Sequence, residues 1–234
     1  MEPINLKKLN VERRARRAVV AITELASGRD RIVRESDAVA GELGAAVRKA
    51  FLSGKSSAIE ADGGLWFLNV HVPPPRIVVI GAVHISQALA PIAALADFDL
   101  DIIDPRTAFA TPQRFRSAKL YAEWPEVVLK DRPLDAYTAL AAVTHDPKID
   151  DFAIQSALNA NCFYVGALGS KKTHAKRLER LGAAGLSQAQ LERIQAPIGL
   201  DIGASSPAEI AVATMAQIIK AFRNRALGSD GVSA

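Results

Sequence analysis

Three consecutive prolines, Pro73-Pro74-Pro75, constrain this chain more than any other feature. Proline fixes φ and lacks the N–H that a helix or a sheet ladder needs, so three together end an element and stiffen the backbone. The pattern differs on either side of them. Before them, residues 11–18 read as the start of a short basic helix, and residues 18–24 and 31–34 as strands joined at Ser27-Gly28. A helix then carries Leu43, Val47 and Phe51 at fourfold spacing and stops before Gly54. Residues 57–60 and 65–71 form a hairpin about Asp62-Gly63-Gly64.

After the prolines, Arg76-Ile77-Val78-Val79-Ile80 reads as a buried strand, residues 84–96 as a helix and residues 100–103 as a second strand. Further strands are expected near Leu120, over 139–143 and over 162–165, with helix-like stretches between them. A last helix runs over 207–223, with Ser206 as N-cap, Pro207 at the first helical position and Glu209 completing a capping box. Strands alternating with helices imply parallel pairing. With 49% apolar residues but only 6% aromatics, the core is built from Ala, Val, Ile and Leu, which suits buried parallel strands. The expected fold class is α/β: a Rossmann-like parallel sheet domain over 76–226, preceded by a small α+β N-terminal domain over 1–72. Residues 227–234 read as a disordered tail.

Charge and cysteine content narrow the function. The net charge of +4 is mild, with basic clusters at Arg13, Arg14, Arg16 and Arg17 and again over 171–180. Without a zinc-finger spacing or an aromatic stacking motif, this does not read as nucleic-acid binding. The most apolar run, 77–98, is interrupted by His84, Ser86, Gln87 and Pro91, and a strand–turn–helix explains it better than a membrane span. The one cysteine, Cys162, sits in an apolar strand pattern and reads as a buried hydrophobe without a metal partner, in keeping with a cytoplasmic protein.

Four loops collect the residues able to bind a ligand. Gly81-Ala82-Val83-His84-Ile85-Ser86 joins the first strand of the α/β region to its helix, where dinucleotide folds hold a pyrophosphate on free N–H groups. It keeps one glycine, with Val83 and Ser86 where two more would stand. Asp104 follows at the spacing of a ribose-binding carboxylate, and Arg106 offers a phosphate partner. Thr144-His145-Asp146-Pro147-Lys148 leaves another strand, with His145 and Asp146 placed either for proton transfer or, in Asp146 or Asp150, for helix capping. Gly166-Ala167-Leu168-Gly169-Ser170-Lys171-Lys172-Thr173-His174 opens a helix with Ser170 as N-cap. Its lysines stand at the positive end of the dipole, an arrangement explained either by a bound anion or by side chains pointing into water. Asp201 and Gly203 lie in a fourth loop, before the last helix, where Asp201 contacts either a ligand or the loop backbone.

These loops, in this order, resemble the XdhC/CoxI family of accessory proteins for xanthine dehydrogenase and carbon monoxide dehydrogenase. The matching stretches are 80–84, 103–106 with Phe109-Ala110, 144–148, 166–170 with Thr173-His174, and 196–203 with 207–210. The resemblance implies a Rossmann domain that binds the molybdenum cofactor, as molybdopterin or its cytosine dinucleotide. It also implies support for the cofactor's sulfuration or its insertion into an apo molybdenum hydroxylase, with a cysteine desulfurase as a further partner. The implied cofactor-binding residues are Gly81, Ala82, His84, Asp104, Arg106, His145, Asp146, Gly166, Gly169, Ser170, Lys171, His174, Asp201 and Gly203, with no metal ligand. Many members carry glycine where this chain has Val83 and Ser86, and its N-terminal region does not match theirs. An NAD(P)-dependent oxidoreductase with His145 as acid–base, disfavoured by Val83, is the alternative, and a nucleotide-responsive sensor the third reading. Paired Rossmann subunits being common, a homodimer is expected.

Overall fold

The computed structural model describes residues 1–116 and 118–225, so the tail expected over 227–234 lies outside the described residues. Contacts divide the chain into two compact units, one built on Met1–Pro73, with Asn224 and Arg225, and one on Pro74–Arg223.

The first unit contains α1 (Pro3–Arg14), β1 (Val19–Glu24), β2 (Asp30–Arg34), α2 (Gly41–Ser53), β3 (Ser57–Ala61) and β4 (Gly64–His71). Its four strands form an antiparallel sheet in the order β2-β1-β4-β3. Leu43, Val47, Ala50 and Phe51 form the buried stripe of α2, which ends at Gly54 in the left-handed conformation, φ 68°. The first helix begins at Pro3, well before the expected residue 11. Proline at the first helical position supplies the start. The inward face of α1 is Asn5, Leu9 and Glu12, mostly polar, so no apolar periodicity announces the helix. Glu12 is buried because Arg17 and Arg34 meet its two oxygens at 2.5 and 2.6 Å.

The second unit contains β5 (Arg76–Ile80), α3 (His84–Leu95), β6 (Asp99–Ile103), β7 (Lys119–Tyr121), α4 (Pro125–Asp131), β8 (Thr138–Ala142), α5 (Pro147–Asn159), β9 (Tyr164–Ala167), α6 (Lys171–Ala183), α7 (Gln188–Leu191), β10 (Ile194–Gln195) and α8 (Pro207–Arg223). All six strands pair in parallel, in the order β10-β9-β8-β5-β6-β7. The chain starts at the centre, winds outward through β6 and β7, then returns past β5 to wind the other way. This is the doubly wound Rossmann order, and its switch point falls between β5 and β8. One face packs Val78, Ile80, Ile103, Leu140, Ala142 and Val165 against the apolar sides of α4, α5 and α6, and α3 and α8 pack together elsewhere in the unit. Every residue of β5 and β8 is buried, as parallel strands covered on both faces require.

Two details differ from expectation. The strand expected over 162–165 runs Tyr164–Ala167, so Gly166 is a strand residue rather than part of the following loop. A Cβ there would run into the Tyr164 ring, which accounts for the glycine by packing. The two-residue β10 carries too little pattern to be read from sequence; pairing with Val165 and Gly166 creates it.

Candidate functional site

Parallel strands bring the loops after β5, β6, β8, β9 and β10 to one edge of the sheet. Ile80 and Ala142 pair at the ends of β5 and β8, so the exposed His84 and His145 leave neighbouring strands there. Gly81 takes φ 122°, and a Cβ on it would lie 3.0 Å from the Thr144 methyl. Close approach of the β8 exit, rather than of a ligand, accounts for this glycine.

The turn after β5 is closed by the protein itself. The Gly81 N–H donates to the Ile103 carbonyl at 2.8 Å, the Ala82 N–H to Asp104 Oδ2 at 2.8 Å, and the Val83 N–H to Ser86 Oγ at 2.9 Å. The Ser86 hydroxyl donates back to the Val83 carbonyl. Asp104 is fully buried, and its other oxygen accepts from the backbone and Nε of Arg106, each at 2.9 Å. Burial works to raise the Asp104 pKa, but hydrogen bonds from Arg106 and Ala82 outweigh it and hold the carboxyl below the usual carboxylate range. The carboxylate expected to meet a ribose is therefore engaged in holding the turn. Arg106 lies over the Phe109 ring at 4.8 Å from its centroid. Arg114, which sequence reasoning did not single out, donates to the Ala82 and Phe109 carbonyls and ties the β6 exit to the turn.

Beyond β8, His145 adopts φ 66°, a left-handed conformation uncommon outside glycine. The Asp146 N–H donates to the Thr144 hydroxyl oxygen at 3.0 Å, and the Asp146 carboxylate accepts from the Lys148 N–H, so Asp146 is the N-cap of α5. One turn further, Asp150 is 1% exposed. Its Oδ1 accepts from the Thr144 hydroxyl at 2.7 Å and its Oδ2 has no partner. Burial pushes its carboxyl up to about 6.

Beyond β9, Ser170 caps α6 by accepting from the Thr173 N–H, and Gly169 takes φ 136° against the Thr173 side chain. Lys171 and Lys172 are exposed in the first turn, where no acidic residue balances them. A cavity of about 320 Å³ lies between the amino ends of α5 and α6. Lys172, Lys176, His145 and the buried Asp150 and Arg177 line it, whereas Lys171 lies outside the lining. Burial lowers the pKa of His174, and the nearby Arg177 cation lowers it further. Asp201 and Gly203 belong to the exposed loop after β10, the outermost strand on that side. Cys162 is fully buried, and burial pushes its thiol up to about 12. Among the described residues, no group of three His, Cys, Asp or Glu side chains is arranged to hold a metal ion, and no helix is long and apolar enough to cross a membrane.

The model of the XdhC Rossmann domain matches residues 77–218. The chain belongs to the XdhC family. It is 32% identical over 155 residues to a probable xanthine dehydrogenase subunit of Bacillus subtilis, covering 66% of this chain and 45% of that one. It is 30% identical over 146 residues to the molybdenum cofactor insertion chaperone PaoD of Escherichia coli, covering 62% and 40%. A third relative, the uncharacterized protein YqeB of Escherichia coli, is 31% identical over 162 residues, which is 68% of this chain and 29% of YqeB. The chain thus matches less than half the length of each of these relatives. The crystal structure of a xanthine dehydrogenase from Bacillus halodurans shares the fold, with a TM-score of 0.64 at 22% identity, over 97% of this chain and 66% of that one. Both the Rossmann architecture and the membership inferred from the ordered loops therefore hold.

Proposed function

We propose that this XdhC-family protein binds the molybdenum cofactor at the carboxyl edge of its parallel sheet and assists its insertion into a xanthine dehydrogenase- or carbon monoxide dehydrogenase-type hydroxylase. The observation that carries the reading is the pairing of family membership with a cationic, partly unsatisfied crevice beyond β8 and β9. PaoD, a relative over the same region, is a molybdenum cofactor insertion chaperone. The donor set fits an anionic pterin: Lys171 and Lys172 at the start of α6 and buried Arg177 with unused donors, whereas Arg106 is taken up by Asp104. Gly169, Ser170 and His174 would line the approach, with His84, His145, Asp146, Asp201 and Gly203 supplied by neighbouring loops.

When bound, the cofactor supplies the redox chemistry of the target enzyme; this chain's residues bind, orient and shield it. Cys162 is the only thiol, buried and held protonated, so any sulfuration falls to a partner such as a cysteine desulfurase. The apo-hydroxylase is the recipient, and a second copy of this chain a further proposed partner.

The strand order also favours a second reading, a nicotinamide-dependent oxidoreductase. Against it stands the turn after β5, whose N–H groups at Gly81, Ala82 and Val83 already have partners. The discriminating experiment is anaerobic purification from a molybdenum-replete host, followed by assays for molybdenum, oxidised fluorescent pterin and nicotinamide. Pterin near one per chain, reduced in Lys171→Ala/Lys172→Ala, is the expected result. Nicotinamide dinucleotide without pterin would transfer the assignment to the oxidoreductase.

A further inference from the structure

The closed turn after β5 leaves open where a phosphate would bind, and the cavity between α5 and α6 offers the missing contacts. Arg177 is 2% exposed in its wall. Its Nη2 donates to the Leu168 carbonyl at 2.9 Å, while Nε and Nη1 have no partner. Asp150 lines the same cavity with Oδ2 unpartnered. Asp150 and Asp151 act on Arg177 as opposite charges but make no hydrogen bond to its Nε or Nη1, and buried polar atoms are almost always hydrogen-bonded. Nε and Nη1 lie on different edges of the guanidinium, so an oxyanion in the cavity would take one of these unused donors singly.

The rim agrees with the floor. Lys172 and Lys176 stand one turn apart on α6 and are exposed. Arg180 is already held by Asp151, through contacts of 2.7 and 3.0 Å, and so contributes little free charge. Pro147 and Thr173 also line the cavity, so the positive ends of two 13-residue helices meet there. At about 320 Å³ the space is at the small end of ligand pockets, suited to a headgroup rather than to a whole dinucleotide.

We propose that this cavity is a phosphate-binding subsite, in which Arg177 grips the phosphate from the floor and Lys172 and Lys176 close on it from the rim. Asp150 would face the same oxygens. Burial holds its carboxyl up to about 6, so it takes up a proton readily and then donates to the phosphate instead of repelling it. The inference deepens the reading above, whose cofactor ends in a phosphate, and rests on it for that occupant. Free inorganic phosphate has the same chemistry and is the other source.

The test is a calorimetric titration of the full chain with inorganic phosphate in a phosphate-free buffer. Saturable binding is expected, weakened about tenfold or more by Lys172→Ala/Lys176→Ala. Both lysines are exposed, so that variant keeps the fold, whereas Arg177→Lys, which retains charge but loses the unused guanidinium donors, is read alongside a thermal melt. Lys7→Ala/Lys8→Ala removes equal charge from exposed positions in the other unit and should leave binding unchanged. Asp150→Asn should bind at least as tightly as the parent. No saturable binding, or equal weakening by both lysine pairs, overturns the subsite. Cytidine monophosphate that displaces phosphate and binds more tightly supports the phosphate end of a larger ligand, and weaker binding supports the free ion. Pterin retained equally by the parent and by Lys172→Ala/Lys176→Ala sinks the subsite and leaves the chaperone reading intact. Phosphate bound as expected, by a protein that never retains pterin, does the reverse.

Discussion

Asp150 spends folding energy on a carboxyl group that the interior disfavours in its charged form. Its pKa rises from 3.8 to about 6, so its contribution to stability is complete below pH 3.8 and is lost as pH rises through 6. Asp150→Asn, which keeps an acceptor for the Thr144 hydroxyl, is expected to be more stable than the parent at pH 8, by about 1–3 kcal/mol. Urea melts should show the two proteins converging below pH 4, and a parent more stable at pH 8 would mean that the carboxylate is paired after all. Two glycines provide a second comparison at this scale. Gly199 has φ 95°, and a Cβ there would lie 3.0 Å from Ala213 Cβ and 3.1 Å from the Thr214 backbone nitrogen. Gly203 has φ 73° with open space around it. Gly203→Ala should cost only the left-handed backbone penalty, about 1 kcal/mol, and Gly199→Ala distinctly more. Equal melting shifts would show that the loop before α8 relaxes freely.

At the scale of elements, α1 and α8 show how polar contacts place helix ends that apolar patterning leaves open. Glu12 fastens α1 to Arg34 of β2, and hydrogen bonding from Arg17, reinforced by Arg34, lowers its pKa against the opposing effect of burial. Its contribution is present above the ordinary glutamate range and is lost as pH falls through the lowered value. Glu12→Gln should therefore destabilise the protein at pH 7, with the deficit shrinking in acid melts. In α8, Ser206 Oγ accepts from the Glu209 N–H at 3.2 Å, while Glu209 accepts from the Ser205 and Ser206 N–H groups. Ser206→Ala should cost about 1 kcal/mol, read as a fall in the melting temperature. This box was legible because its residues lie within four positions. The start of α1 was not, because its inward face is Asn5 and Glu12 as much as Leu9.

On the scale of the whole molecule, the Pro74–Arg223 unit holds its own parallel sheet and its own apolar cluster. We expect it to unfold in a single cooperative transition when produced alone, and a broad, non-cooperative urea melt would refute that independence. Its parallel α/β class was legible as alternation of strands and helices, since burial on both faces writes near-continuous apolar runs such as Ile77–Ile80 into the chain. The loops at the carboxyl edge of its sheet were legible as well, because each follows such a run.

What those loops do was decided in three dimensions. By itself the sequence determined the α/β class, the capped last helix and the set of loops gathered at one sheet edge, because these follow from local backbone chemistry and hydrophobic period. It did not determine that Asp104 turns inward to close the Ala82 N–H, or that Arg177 and Asp150, 27 positions apart in the numbering, share one cavity with unused polar atoms. A spacing reports only that a carboxylate is available near a turn. Whether it meets a ligand or the protein's own backbone depends on which hydrogen-bonding groups the packed strands leave unsatisfied, and only the tertiary structure fixes that.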